Sequence, residues 1–181
     1  MTPESSRPFT DREEQAWAGF LAVHSLVIRE LDALLGAEHG MPLVEYEVLL
    51  KLAIGGGRMR MSELADVAFL SRSGLTRIVD ELESLGQVTR ERDELDGRAF
   101  VATLTPLGRR RFASARRSHR AHVRELFLGH LADDQHGALA ASWRQILDGI
   151  DARTTRRPRR RLSGRPGVSA TEPGRSPAAR D

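Results

Sequence analysis

Residues 58–105 read RMRMSELADVAFLSRSGLTRIVDELESLGQVTRERDELDGRAFVATLT, and this stretch decides the fold. Ser62 to Ala68 carries the apolar spacing of a short helix, with Ser62 placed as its cap. A tight break follows. A second helix is expected from Ser71, whose hydroxyl can cap it. Beyond Gly86 two short strands flank Asp96-Gly97, a dipeptide that tolerates the positive φ of a hairpin turn. Helix, turn, helix and hairpin in that order build a winged helix-turn-helix. In such a module one helix enters a major groove and the hairpin reaches a minor groove. Double-stranded DNA is the expected partner.

On the second helix Leu75, Ile78, Val79, Leu82 and Leu85 recur at helical spacing and are expected to face the core. Ser73, Thr76, Arg77 and Asp80 fall on the opposite side. Recognition helices present their first turns to base edges, so Arg77 is the leading candidate for a bidentate contact to guanine. Ser73 and Thr76 can bond to bases or phosphates, and Arg72 flanks them. A carboxylate repels phosphate, so Asp80 is expected to orient Arg77 or to point away. In the hairpin, Arg98 lies near the tip, where a narrow minor groove concentrates negative potential and attracts arginine. Asp96 is expected to brace the loop or Arg98 itself. Arg90 and Arg92 share one face of the preceding strand. They either reach phosphates or guard a solvated strand edge with charge. The expected DNA-binding set is Ser71, Arg72, Ser73, Thr76, Arg77, Arg90, Arg92, Asp96 and Arg98.

Outward from this module the chain reads as helix. A loose arm, residues 1–9, leads to Thr10, which with Glu13 has capping-box spacing. Trp17, Phe20, Leu21, His24, Ile28, Leu31 and Leu35 form one apolar stripe, and Gly36 and Gly40 bracket its end. A second helix is expected over Pro42–Ile54, with Val44, Val48, Leu49 and Leu52 inward and a Gly55-Gly56-Gly57 stop. After the module, Thr105 caps a long helix opened by Pro106. Phe112, Ala115, His119, Val123, Leu126 and Phe127 mark its buried face. Asp133 can cap a last helix, with Leu139, Trp143, Ile146, Leu147 and Ile150 inward. The fold class is mainly α with a small β-hairpin wing (α+β). One domain is expected over residues 10–151, with the winged module at about 42–105 and dimerisation helices at about 10–36 and 105–151. These flanking helices have broad apolar stripes and too little chain to close a core of their own. Pairing with a second copy, as a homodimer, is the economical solution; covering the module within a monomer is the alternative.

Charge is distributed unevenly. The whole chain carries +3, but residues 153–181 hold nine Arg against two acids, a local +7, which leaves about −4 for the rest. Any DNA contact by the folded body must therefore come from a localised basic patch. The stretch 152–181 is expected to be a disordered Arg-rich tail that attracts phosphate without sequence preference. Its Ser163-Gly-Arg-Pro-Gly167 is distantly similar to a short minor-groove hook. With no Cys, a disulfide framework, a thiolate metal site and a thiol redox sensor are excluded. The start of the chain lacks a secretory pattern, and no apolar run is long enough to span a bilayer. A cytoplasmic protein without a membrane partner is expected.

No nucleophile-base pair, phosphate-binding glycine loop or metal cage is visible, so the chain is not expected to be an enzyme or to hold a metal or resident cofactor. His119 and His122 stand three apart on a helix, where a surface or interface role is expected over metal binding. Trp17, His24 and Trp143 either line a pocket for a small-molecule effector or are plain core. Two functions stay open: a ligand-responsive, sequence-specific regulator, and a winged-helix protein-interaction module without specific DNA binding.

The module resembles the multiple antibiotic resistance regulator (MarR) family. The likeness is carried by Ser62-Glu-Leu-Ala65, Leu70-Ser-Arg-Ser-Gly-Leu-Thr-Arg77 and Leu82-Glu-Ser-Leu-Gly86. It continues in the wing Asp96-Gly-Arg98 and, at family spacing, in Leu104-Thr-Pro-Leu-Gly108. The flanking helices match in order and approximate length, so the resemblance covers roughly residues 10–151. It implies a homodimer whose recognition helices enter successive major grooves of a pseudo-palindromic operator, with wings in the flanking minor grooves. It further implies a repressor, released from DNA in many members by a small aromatic or phenolic ligand. Family wings commonly carry extra basic or Pro/Gly residues, where this one has Glu94 and Leu95.

Overall fold

A computed structural model of the chain describes residues 7–156. The expected basic tail beyond Arg156 and the first six residues of the arm lie outside the described residues. The elements follow one another as α1 (Asp11–His39), α2 (Leu43–Ile54), β1 (Arg58–Arg60), α3 (Met61–Val67), α4 (Arg72–Ser84), β2 (Val88–Arg92), β3 (Phe100–Leu104), α5 (Pro106–Leu126) and α6 (Asp133–Arg156). Among the described residues no helix is long and apolar enough to cross a membrane.

The caps explain where the helices begin. Thr10 accepts the Glu13 amide while Glu13 accepts the Thr10 amide, so two orphan donors of α1 are satisfied together. Arg7 pairs with Glu13 and ties down the end of the arm. Helix α1 runs through Gly36 to His39, beyond the expected end, and stops where Gly40 turns left-handed at φ 58°. Pro42 precedes α2 and offers it no side-chain cap. The Leu43 amide is capped instead by Asp32 of α1, at 2.8 Å. Ser71 caps α4 through the Gly74 amide, and Thr105 caps α5 through the Gly108 amide.

Strand β1 was not expected. It is three residues long with Met59 as its one apolar side chain, too little for a periodicity signal. It forms because it completes a sheet ordered β1-β3-β2, all antiparallel, with Arg60 opposite Val101 and Arg92 opposite Phe100. The strand leads straight into α3. Ser62 is therefore inside the helix and not its cap; that position falls to Arg60, which makes no side-chain capping bond.

The core gathers Leu35, Val48, Leu49, Leu52, Leu64, Val79 and Leu82, all fully buried, from α1 to α4. Burying each such side chain contributes roughly 1.5–3 kcal/mol. Tyr46 stacks on Phe112 of α5 at 5.6 Å. Leu75, Ile78, Val79 and Leu82 of α4 face this core as expected, whereas Leu85 ends the helix and stays exposed.

The apolar stripe of α1 divides. Leu31 and Leu35 are buried, but Trp17, Phe20, Leu21 and Ile28 are exposed. The chain separates into two compact units at Asp133/Asp134. Helix α6, which enters the second unit at Asp134, has Asp133 as its first residue, not as a cap ahead of it, and extends to Arg156, past the expected boundary near 151. Its Trp143, Ile146, Leu147 and Ile150 are exposed, not inward.

Phe69, in the turn between α3 and α4, has φ +55° and is 88% exposed. A side chain in this left-handed region crowds its own backbone, and one so exposed recovers nothing by packing. Phe69→Gly is expected to raise stability by about 1 kcal/mol. An unchanged or lower urea midpoint would contradict this account.

Candidate nucleic-acid interface

The first turns of α4 present a polar face. Ser73, Thr76 and Arg77 are all exposed. The Ser71 hydroxyl accepts the Gly74 amide at 3.1 Å and lies 3.3 Å from that of Ser73. The Thr76 hydroxyl donates to the Arg72 carbonyl at 2.9 Å. Its proton is therefore spent on the helix, which leaves lone pairs and a methyl group facing outward. That suits an exocyclic base amine or a thymine methyl better than a phosphate. Arg77 has no ion-pair or hydrogen-bond partner among the described residues.

Asp80 does not orient Arg77. It pairs with Arg90 of β2 at 2.7 Å. Glu83 adds a second contact to the Arg90 guanidinium at 3.3 Å and accepts the Arg90 amide at 3.1 Å. Two carboxylates on one guanidinium leave the trio with a net negative charge. Arg90 thus fastens the recognition helix to the wing strand and offers little cationic field to phosphate. Arg92 is also held: it donates to the Gly97 carbonyl at 2.6 Å and lies 5.2 Å over the Phe100 ring. The sequence is compatible with either phosphate contact or a solvated edge for both arginines; in the structure both are engaged within the fold.

The wing departs from the expected tight turn. Residues 93–99 form a longer loop between β2 and β3, and Gly97 does not adopt a positive φ. Asp93 organises it. One carboxylate oxygen accepts the amides of Leu95 and Asp96, and the other accepts Arg60 Nε at 2.7 Å. The Arg60 guanidinium first, then the Leu95 amide, hold this carboxyl below the usual aspartate range. Asp96 braces the loop as expected by accepting the Arg98 amide at 3.1 Å. The Arg98 side chain is exposed and has no partner among the described residues. Arg72, Thr76, Arg90, Asp96 and Arg98 line one cleft of about 440 Å³ between α4 and the wing, together with Met61 and Ser62 of α3. Sequence reasoning missed Arg60 and Glu83, whose partners lie on other elements, and Asp93, whose bonds to the Leu95 and Asp96 amides are local but whose Arg60 partner is not.

A sequence model described as the MarR family matches residues 39–99, from the end of α1 to the wing loop. The structure is similar to AbsC, a MarR family transcriptional regulator from Streptomyces coelicolor, with a TM-score of 0.75 and 32% identity, over 81% of this chain and 99% of that one. The chain belongs to the MarR family of transcriptional regulators. Sco3205, a MarR family transcriptional regulator from the same organism solved in complex with DNA, has a TM-score of 0.74 and 33% identity over 79% of this chain and 90% of its own. The transcriptional regulator BldR from Sulfolobus solfataricus reaches 0.68 at 26% identity, over 78% of this chain and 99% of that one. Comparison with curated proteins finds no sequence match.

In this MarR family member the run Leu104-Thr-Pro-Leu-Gly108 joins the wing to α5. Thr105 Oγ1 donates to the Gly86 carbonyl at 2.7 Å while accepting the Gly108 amide at 3.0 Å. It thereby binds the end of the α4-β2 turn to the start of α5. Elsewhere His24, Ser25, Ile28, Arg29, Asp32, Leu43, Val44 and Glu47 line a groove of about 480 Å³ between α1 and α2. Of the three residues considered for an effector pocket, His24 is on this groove and Trp17 is not, while Trp143 belongs to the second unit.

The two helical histidines have separate partners. His122 bonds to Glu38 of α1 at 2.8 Å, whereas His119 stacks on Tyr46 at 4.4 Å. Burial first, then the neighbouring His122, pushes the His119 imidazole below the ordinary value of 6.5. Between its folded value and 6.5 the unfolded chain takes up the proton and the folded chain does not. Stability supplied by neutral His119 is therefore complete above 6.5, declines as pH falls below it, and levels off under the folded value. His119→Phe keeps the stack without the titration. Its urea midpoint is expected to fall less steeply than wild type on acidification through this window; parallel curves would refute the assignment.

Proposed function

We propose that this chain is a homodimeric, DNA-binding transcriptional regulator that reads a pseudo-palindromic duplex and represses transcription. One observation carries the reading: Arg72 and Thr76 at the start of α4 and Arg98 on the wing line the same cleft, with Arg77 exposed beside them. A duplex that places a groove along α4 brings its backbone across that cleft and a neighbouring minor groove to the wing. The homodimer is supported by Trp17, Phe20, Leu21 and Ile28, which recur at helical spacing and expose an apolar face along α1. Relief of repression by a small molecule is supported by the groove between α1 and α2. There Ile28, Leu43 and Val44 stand beside His24, Arg29, Asp32 and Glu47, an apolar wall with nearby donors and acceptors that suits a small aromatic or phenolic molecule.

The test is a mobility-shift titration over a range of salt, using duplex from upstream of the chain's own coding region and a scrambled duplex of equal length. The operator is expected to bind more tightly at every salt concentration, with both affinities falling as salt rises. Equal binding of the two duplexes would leave a winged-helix interaction module as the better reading.

A further inference from the structure

The loop 93–99 carries Arg98, and its own bonds hold it in shape: Asp93 N–H to the Ala99 carbonyl, Ala99 N–H to the Asp96 carbonyl, and the Asp93 and Asp96 carboxylates on nearby amides. These fix the loop internally but do not aim it. Among the described hydrogen bonds and ion pairs, one joins the loop to an element outside the β2-β3 hairpin. That bond is Arg60 Nε to Asp93 Oδ2 at 2.7 Å. Its position in the sheet matters. Strands β1 and β2 lie on opposite edges, each paired to β3 and not to each other. The Arg60–Asp93 bond therefore ties the end of β1 to the loop residue that follows β2, two segments that no backbone ladder joins. Arg60 is also the residue immediately before α3, so the bond connects the wing to the helix-turn-helix within a single residue of chain. The Asp93 side chain is 11% exposed and that of Arg60 46%.

We propose that Arg60 and Asp93 are a positioning pair that sets where the wing carries Arg98 relative to α4, and thereby sets the preference for base pairs flanking those α4 reads. The inference rests on the regulator reading given above and deepens it. A guanidinium gains from a minor groove only when delivered into its narrow part, so a small change in wing attitude alters the flank contact and leaves the major-groove contact in place. Arg60 is half exposed and Asp93 keeps its bonds to the Leu95 and Asp96 amides, so loosening the wing by removing Arg60 need not loosen the fold. Arg60 is also withheld from phosphate by Asp93, so removing it changes general DNA attraction alike for every duplex.

The experiment compares full-length wild type with Arg60→Ala and Arg60→Lys. In the free proteins, hydrogen exchange is followed at the amides of Leu95, Asp96 and Arg98. Affinity is then measured at fixed salt for three duplexes from upstream of the chain's own coding region: intact, with the flanks replaced, and with the central half-sites replaced. Arg60→Ala is expected to exchange faster in the loop at an unchanged melting temperature. It should lose flank discrimination by about tenfold, the scale of one base-pair contact, and keep discrimination at the centre. Arg60→Lys, which keeps a cation within reach of Asp93, should restore both. If Arg60→Ala keeps wild-type flank discrimination, or loses flank and centre discrimination in proportion, the positioning role is wrong. A wild-type protein that does not discriminate at all overturns the regulator reading itself, and that result appears before any variant is compared.

Discussion

Gly108→Ala is expected to destabilise the fold by about 3 kcal/mol or more. Gly108 lies in the first turn of α5, where the helix meets the backbone at Gln87. A Cβ at this position would overlap the Gln87 carbonyl oxygen and lie 2.9 Å from its carbon. Neither neighbour can move aside cheaply. Gln87 is 3% exposed, and its carbonyl already accepts the Thr105 amide at 3.1 Å. Separating the two backbones would also break the Thr105 bond to Gly86 and loosen the joint between α5 and the end of α4. Gly36→Ala supplies the control. That glycine is inside α1 with nothing within 4 Å of an added Cβ, so the same change there is expected to stabilise by about 0.5–1 kcal/mol. Urea denaturation of the two variants should give opposite signs. A Gly108→Ala protein as stable as wild type would show that α5 and Gln87 are not in close contact.

Arg77→Ala is expected to weaken operator binding by about 1–3 kcal/mol and to relax the preference at the base pairs it faces. The expectation follows from contrast with its neighbours. Arg90 is committed to Asp80 and Glu83, and Arg92 to Gly97 and Phe100. Arg77 is exposed on the same helix face as Ser73 and Thr76, and its guanidinium keeps its full donor set for a guanine edge. The variant should be assayed against single-base-pair substitutions across the operator. A contact to a base predicts that one or two substitutions lose their effect in Arg77→Ala. A contact to phosphate predicts uniform weakening with a shallower salt dependence. Wild-type affinity and preference in the variant would remove Arg77 from the interface altogether.

The parts of this fold that could be read from sequence are those governed by short-range chemistry. Thr10, Ser71 and Thr105 cap their helices because a hydroxyl three residues ahead of a free amide is a local arrangement. The inward face of α4 follows from the spacing of Leu75, Ile78, Val79 and Leu82 for the same reason. Most of what differs depends on distant partners. Ser62 looks like a cap until β1 forms, and β1 exists only because β3, some forty residues later, offers it an edge. Asp80 looks free to serve Arg77 until β2 brings Arg90 beside it. Asp96-Gly97 suggests a tight hairpin, but the side chain of Asp93 organises a longer loop. The stripe of α1 shows a further limit: periodicity identifies an apolar face without saying what lies against it, and Trp17 and Leu21 stay uncovered in a single chain.

The carboxylate that caps α2 comes from another helix. Because Pro42 supplies no cap, the first amide of α2 depends on Asp32 of α1, and both Asp32 and Leu43 are on the wall of the groove between the two helices. The helices are thus geared together: α1 cannot roll far against α2 without stranding a donor at the root of the helix-turn-helix. The groove between the helices shares its wall with that cap, so the same few residues shape the groove and hold the start of α2.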